Sequence, residues 1–540
     1  MAVFQSRIQT QSDAFRGNRE DMLNLIGQLH ALNDRGRRMS EKRKSRFEAR
    51  GQLTPRERLA RLLDPGMPWL AIGNLSGYLS DGRPEEESLP GSTVICGIGF
   101  IAGVRCMVVV DDSGIMAGAM TGSTAYKIMR SEEIALQQKL PYVHLVESAG
   151  GDLINYTVEG FSRGGGLFAG QAKLSKAGLP IISILHGSST AGGAYMPGMS
   201  DYVIAVRGNG KAFLAGPPLL KAATGEIATE DALGGAEMHA SVSGLAEYLA
   251  EDDGEAVVMA REVVDRLGWN TRCPRPELPP APPPVYDPDE IAGIVPIDYR
   301  IPYDVREVVA RVVDGSDFTD FKPRYGVSTV CLQSRIMGYR CGIIGNNGPI
   351  DPAGATKASQ FLQLMDQADT PVIFLQNTTG YMVGTEYERA GMIKHGSKMI
   401  QAVTNIEVPR ITLMIGASYG AGNYGMCGRA FGPDFLFSWP NASMGVMGGE
   451  QAATVMSIVA EGAARAAGKE PDREALAKQE THLTQLFNGQ SGAFYTSGHD
   501  LDDGMIDPRE TRQALGFLLA TCWEGRHREV RRNSFGIARM

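Results

Sequence analysis

The sequence repeats itself at long range, and no other feature limits its fold as tightly. Lys-Leu-Pro141 before YVHLVESAGG parallels Asp-Thr-Pro371 before VIFLQNTTGY, a separation of 371 − 141 = 230 residues. Gly-Leu-Pro180 before IISILHGSSTAGGAY parallels Glu-Val-Pro409 before RITLMIGASYGAGNY, a separation of 409 − 180 = 229. The same 229 links Gly187 to Gly416, Gly193 to Gly422 and Tyr195 to Tyr424. A register held this closely from Pro141 to Tyr195 indicates duplication, so whatever one half builds, the other builds again.

The repeated unit reads as buried α/β structure. Cys106 to Val110, Tyr142 to Val146 and Ile181 to Leu185 are short runs rich in branched residues. Each is followed by a segment compatible with a helix, as in a sheet covered on both faces. At 540 residues the chain exceeds what a single core usually supports, which agrees with two domains. The stretch from Pro274 to Pro288 holds Pro279, Pro280, Pro282, Pro283 and Pro284 and cannot continue a helix, so the boundary is expected there, dividing 1–285 from 286–540. Ahead of the first half, Met22, Leu25, Ile26, Leu29 and Leu32 fall at helical spacing. Thr54-Pro55-Arg56-Glu57 then forms a capping box with proline at the first helical position, so two helices are expected before the main fold. The basic segment from Arg35 to Arg50 between them is read as a solvated face.

Many of the 66 glycines follow the apolar runs, where the chain turns tightly or approaches a ligand. A glycine turn that opens a helix leaves backbone N–H groups unpaired with the helix dipole behind them, a place suited to negative charge. Two such turns on neighbouring strands can hold the oxyanion that forms as a thioester enolises, a contribution of several kcal/mol in a dry site. Thr190-Ala191-Gly192-Gly193 and Tyr419-Gly420-Ala421-Gly422 keep their side chains small enough for this. The same glycines also suit plain packing of strand against helix. Glu147, at a strand end before a glycine turn, could act as acid or base or could cap the turn. His186 is read as a packed histidine.

Other classes fail on their motifs. No phosphate-loop, GxSxG or HExxH pattern is present, and eight histidines form no metal-ligand spacing, so no metal is expected. A net charge of −8 argues against nucleic acid. No run of about 18 apolar residues could span a membrane, and the start MAVFQSRIQTQSDAFRG lacks an apolar signal core, so a cytoplasmic protein is expected, or a matrix protein if mitochondrial. Seven scattered cysteines without a CxxC pair read as reduced thiols.

Several long segments resemble the carboxyltransferase beta subunits of biotin-dependent acyl-CoA carboxylases. They are RGQLTPRERLARLLDPG at 50–66, STAGGAYMPGMSD at 189–201, FLAGPPLLKAATGE at 213–226 and GIVPIDYRIPYDVREVVARVVDGSDF at 293–318. QNTTGYMVGTEYERAGMIKHGSKM, SYGAGNYGMCGRAF and NASMGVMGGEQAA extend the likeness through the second half. The resemblance implies two tandem crotonase-like (ββα superhelix) α/β domains, with an active site shared between the first domain of one subunit and the second of another. It implies that Gly192 and Gly193 donate to the thioester oxygen of an acyl-CoA, near Gly150, Gly151 and Ala191. It implies likewise that Gly420 and Ala421 donate to the ureido oxygen of biotin, near Gly380, Tyr381, Tyr419 and Gly422. The chain has no Ala-Met-Lys-Met carrier setting, so biotin would arrive on an alpha subunit, and the family points to an assembly of six of each.

Within that family GAGNYGMCGRAF and VMGGEQAA resemble the branch acting on the γ-carbon of branched 2-enoyl-CoAs. Gly164, Gly165 and Gly166 stand where methylcrotonyl members carry bulkier residues, which would open room for a longer chain such as the geranyl group. A flexible loop would use the same glycines. Methylcrotonyl-CoA, propionyl- or acetyl-CoA, and a biotin-independent crotonase-type reaction are the competing readings, with a non-catalytic scaffold for a biotin-carrying partner beside them.

Overall fold

The structure, a computed structural model, describes residues 3–468 and 470–532. The chain forms two compact units. One comprises 30–276, 498–500 and 520–540, and will be called the N-half; the other comprises 1–29, 277–497 and 501–519, the C-half.

The N-half is built on strands β1 (Leu70–Ile72), β2 (Val94–Ile101), β3 (Val104–Asp111), β4 (Tyr142–Val146), β5 (Ile181–Leu185), β6 (Ser188–Thr190), β7 (Tyr202–Val206), β8 (Lys211–Phe213) and β9 (Tyr248–Ala250). Seven of them form one sheet in the order β1-β2-β3-β4-β5-β7-β9, while β6 pairs with β8. Strands β2 and β3 are an antiparallel hairpin, and from β3 onward every neighbour is parallel. Strands β3, β4 and β5 are buried along their whole length, as a sheet covered on both faces requires.

The C-half repeats this plan with β10 (Thr319–Asp320), β11 (Thr329–Ile336), β12 (Tyr339–Asn346), β13 (Val372–Thr378), β14 (Arg410–Tyr419), β15 (Phe435–Ser438) and β16 (Ser443–Gly445). The order is β10-β11-β12-β13-β14-β15, with β16 pairing β14. Again the hairpin β11-β12 comes first and parallel neighbours follow. Both units are mixed α/β and crotonase-like, in line with the expected tandem fold.

The duplication extends to single hydrogen bonds. Tyr142 N–H donates to Pro180 O at 2.8 Å, and Val372 N–H donates to Pro409 O at 2.9 Å. Asp201 Oδ2 accepts from Ile181 N–H at 2.9 Å, and Asp434 Oδ2 accepts from Arg410 N–H at 2.8 Å. Met120 N–H reaches Gly150 O at 2.8 Å, and Ile350 N–H reaches Gly380 O at 3.0 Å. These bonds fix where each turn leaves its strand.

Three helices precede the N-half sheet, one more than expected: Asp13–Glu41, Lys44–Glu48 and Pro55–Leu62. The third begins with the anticipated capping box, Thr54 Oγ1 accepting from Glu57 N–H at 3.3 Å and Glu57 Oε2 accepting from Thr54 N–H at 2.9 Å. Residues 274–285 contain neither helix nor strand, as their prolines require. The seven cysteines are free, and six are buried.

Candidate active site

In each half a strand delivers a small-residue turn beside the end of its neighbour. In the N-half, β6 leads into a turn of 3-10 helix, Ala191–Ala194, and then the short helix Tyr195–Gly198. The N–H groups of Ala191 and Gly192 open that turn and have no acceptor within it, while Gly193 N–H falls where the first i→i−3 bond of a 3-10 turn forms, to the N-cap Thr190. In the C-half, β14 leads into Gly420–Gly425, whose first N–H groups, from Gly420, Ala421 and Gly422, are in the same position. A helix start was expected behind each turn, and each is present but short, Ala191–Ala194 continuing into Tyr195–Gly198 and Gly420–Gly425 ending after six residues, so the macrodipole is slight and the donors act mainly as individual N–H groups.

The glycines differ in why they are glycines. Gly420 has φ +54°, a left-handed conformation, and a Cβ there would lie 3.3 Å from Val446 O. Gly422 approaches Gly380 so closely that a Cβ would fall 2.8 Å from the Gly380 Cα. Gly193 faces Ser189, whose Oγ would be 2.8 Å from an added Cβ. Gly192 is unconstrained in this sense: its Cβ would sit 3.5 Å from Phe168 Cζ, ordinary contact distance. Phe168 packs edge-on against Tyr195, with ring centroids 5.7 Å apart, and so forms an aromatic wall over Gly192.

The neighbouring turns support these donors. Gly150 N–H donates to Ser148 Oγ at 3.2 Å, and Gly380 N–H to Thr378 Oγ1 at 3.3 Å, so both are committed inside the protein. Gly151 is exposed and bridges Met120. Tyr419 is buried and its hydroxyl pairs with Ser443 Oγ at 2.6 Å, while its ring leans on Tyr299. The Tyr381 hydroxyl donates to Gly396 O at 3.3 Å, and burial pushes its pKa far above the ordinary tyrosine value. Tyr381 therefore braces the C-half core rather than presenting its hydroxyl to a ligand.

Gly164, Gly165 and Gly166 are not in a loop. They join the helices Val158–Gly164 and Gly166–Ala177, and Gly165 has φ −58°, a conformation open to any residue. Added Cβ atoms at Gly164 and Gly165 would meet almost nothing, whereas one at Gly166 would strike Met129 Sδ. Backbone geometry thus does not explain the first two glycines, and what they leave is space.

Below the N-half turn lies a buried ion network that sequence reasoning did not find. Arg58 Nη1 donates to Glu147 Oε2 at 2.6 Å, and Arg58 Nε donates to Asp253 Oδ2 at 2.9 Å. Asp253 Oδ1 pairs with His186 Nδ1 at 2.7 Å, and Asp253 Oδ2 also accepts from Leu53 N–H at 2.7 Å. Arg58 is 1% exposed and Glu147 is 6% exposed. Glu147 is accordingly neither a turn cap nor a free base, since its carboxylate is held by Arg58. His186 is fully packed, as expected, and burial followed by the nearby Arg58 lowers its pKa, favouring the neutral ring. In the C-half the corresponding positions hold Asn377 and Ile415 (147 + 230, 186 + 229). There Asn377 Oδ1 accepts from Ala417 N–H at 3.1 Å, so an amide and an apolar side chain stand where the N-half has the ionic Glu147 and His186.

Two small-residue turns that open with backbone N–H groups, each on a crotonase-like sheet, have the chemistry of sites for negatively charged oxygen. The chain belongs to the carboxyl transferase family: residues 46–535 match its carboxyl transferase domain. Its relatives make it a carboxyltransferase component of the biotin-dependent acyl-CoA carboxylases. It is 48% identical over 496 residues to a probable biotin-dependent acyl-coenzyme A carboxylase beta2 subunit of Mycobacterium tuberculosis, covering 92% of each chain. It is 42% identical to the 3-methylcrotonyl-coenzyme A carboxylase beta1 subunit of the same organism, covering 93% of this chain and 94% of that one. The solved beta subunit of P. aeruginosa geranyl-CoA carboxylase superposes with a TM-score of 0.92 at 49% identity, covering 100% of both chains.

Proposed function

We propose that the chain transfers a carboxyl group from carboxybiotin to the γ-carbon of a branched 2-enoyl-CoA, with geranyl-CoA the preferred substrate over methylcrotonyl-CoA. The observation that carries the substrate assignment is the open helix junction at Gly164 and Gly165, where neither φ nor packing calls for glycine. The likeness to a geranyl-CoA carboxylase subunit supports it, and likenesses to methylcrotonyl-CoA carboxylase subunits keep the shorter substrate as the second reading.

On this reading the halves 1–285 and 286–540 divide the chemistry. Gly192 and Gly193, flanked by Ala191, Gly150 and Gly151, hold the thioester oxygen and stabilise the enolate. Gly420 and Ala421, flanked by Tyr419, Gly422, Gly380 and Tyr381, hold the ureido oxygen. The C-half cradle fits that group in kind, because a Cβ at Gly420 or Gly422 would crowd Val446 O or Gly380 and fill it. When bound, carboxybiotin supplies the CO2 and, at its ureido nitrogen, a base. This suits a site where the Glu147 carboxylate is tied to Arg58. The chain's own work is polarisation by fixed N–H groups that need no reorganisation during reaction.

Biotin would come on an alpha subunit, and the assembly would be six of each. Leu153, Ile154 and Phe161, at 82%, 92% and 74% exposure, support a subunit interface in the N-half. No helix among the described residues is long and apolar enough to cross a membrane. A cytoplasmic or mitochondrial-matrix site is the matching proposal.

The deciding experiment compares kcat/KM for geranyl-CoA and methylcrotonyl-CoA, in the presence of the biotinylated partner, for the native chain and Gly164→Phe. Selective loss of geranyl-CoA is the expected result; equal loss on both substrates, or none, would undo the assignment.

A further inference from the structure

Both cradles follow the same slip in strand pairing, and the two halves hold that slip by different means. In the C-half Gln376 pairs with Met414 and Thr378 with Ser418, so β14 spends two residues more than β13 over this step. In the N-half Val146 pairs with Leu185, and Ser148 then stands beside Ser189, its N–H donating to Ser188 O and its carbonyl accepting from Thr190 N–H, both at 3.1 Å. The slip is the same. In the C-half it lies inside the unbroken strand Arg410–Tyr419, where Asn377 Oδ1 accepts directly from Ala417 N–H. In the N-half it breaks the strand: β5 ends at Leu185 and β6 begins at Ser188, with His186 and Gly187 between. Glu147 lies against this break, since a Cβ on Gly187 would fall 2.5 Å from its Cδ, but its carboxylate is turned to Arg58.

His186 is anchored at the break on three sides. Its N–H donates to Val146 O at 3.1 Å, its carbonyl accepts from Gln52 Nε2 at 2.9 Å, and its ring Nδ1 pairs with Asp253 Oδ1 at 2.7 Å. The residue is 0% exposed, and Nε2 has no hydrogen-bond partner among the described residues. One ring nitrogen therefore serves the structure, and a carboxylate fixes which. Asp253 is itself held through Oδ2 by Arg58 Nε and Leu53 N–H, so the ring is tied to a rigid base. Beyond the break only Ser188, Ser189 and Thr190 separate it from the turn, so a shift at His186 is passed on to the Ala191 and Gly192 N–H groups. Oxyanion donors work only when already placed, and a misplacement of about 1 Å is costly.

We propose that His186 is a positioning residue for the N-half cradle: through its Nδ1–Asp253 pair it sets where β6 leaves the break, and so aims the Ala191 and Gly192 N–H groups at the thioester oxygen. The proposal rests on the acyl-CoA role assigned to that turn. The ring touches no substrate, and the C-half cradle, held by Asn377, does not depend on it.

The test uses the full chain with geranyl-CoA and methylcrotonyl-CoA, each labelled with 13C at the thioester carbonyl. Isotope-edited infrared spectra read the stretch of the bound carbonyl, which moves to lower frequency as N–H donors polarise it and needs neither biotin nor the partner. His186→Asn, whose amide can donate to Asp253 in place of Nδ1, keeps the native band. His186→Leu has no donor and loses most of the shift; with the biotinylated partner its kcat falls about tenfold or more while KM changes less than about twofold. A native band or native kcat in His186→Leu overturns the proposal. So does a lost shift in His186→Asn, the outcome if the ring serves only to fill space. A native chain whose bound thioester shows no shift with either substrate brings down the acyl-CoA reading itself. Should His186→Leu melt early, His186→Gln, whose amide lies one methylene too far to replace Nδ1, is held to the same outcomes.

Discussion

A side chain at Gly192 would point at Phe168 with ordinary clearance, while one at Gly420 would have to adopt a left-handed backbone beside Val446 O. The two positions therefore fail differently. Gly192→Val keeps the fold and fills the cradle, so carboxylation falls by about 100-fold or more with an unchanged melting temperature. Gly420→Val loses activity to a similar degree and also about 1 to 2 kcal/mol of stability from the strained backbone. Rate and thermal melt of both variants check this, and normal rates in both would remove the role of the two turns. The sequence made these positions visible because small residues recur in register. It could not rank them, since φ and neighbouring atoms decide which glycine is needed for shape and which for emptiness. Tyr381 shows the same limit: it sits beside the cradle in the chain, yet its hydroxyl turns into the core.

Among elements, the helix Pro55–Leu62 does more than its capping box implies. It carries Arg58 under the N-half turn, where the guanidinium joins the end of β4 through Glu147 to the helix Asp253–Arg266 through Asp253. Removing one member of a buried ion network leaves charges unpaired, so Arg58→Ala should cost about 3 to 5 kcal/mol in denaturant melts, and Glu147→Gln distinctly less because the amide still accepts a hydrogen bond. The helix start was legible from Thr54, Pro55 and Glu57, local neighbours whose pattern names its own purpose. The network was not, because residues 58, 147, 186 and 253 are brought together only by the folded sheet. The glycine run 164–166 was legible as lost bulk but not as a helix junction, since three glycines disfavour helix by propensity and the packing around them prevails.

For the whole molecule, duplication was the strongest signal and the structure carries it down to matched hydrogen bonds. A chain that provides two cradles and no carrier lysine should, by itself, carboxylate nothing: an assay of product from enoyl-CoA, bicarbonate and ATP stays at background until a biotinylated partner is added. Carboxylation by the isolated chain would contradict it. The sequence showed that two halves exist but not how they differ, because the difference is in a change of length, eight residues between Asp111 and Met120 against three between Asn346 and Ile350, and in a buried ion network that only the fold assembles. The five extra residues between Asp111 and Met120 give that difference a history. A freshly doubled gene would have encoded twin sites competing for the same molecules. A change of length in one copy, at a hairpin exit, is a small enough event to let twins become specialists.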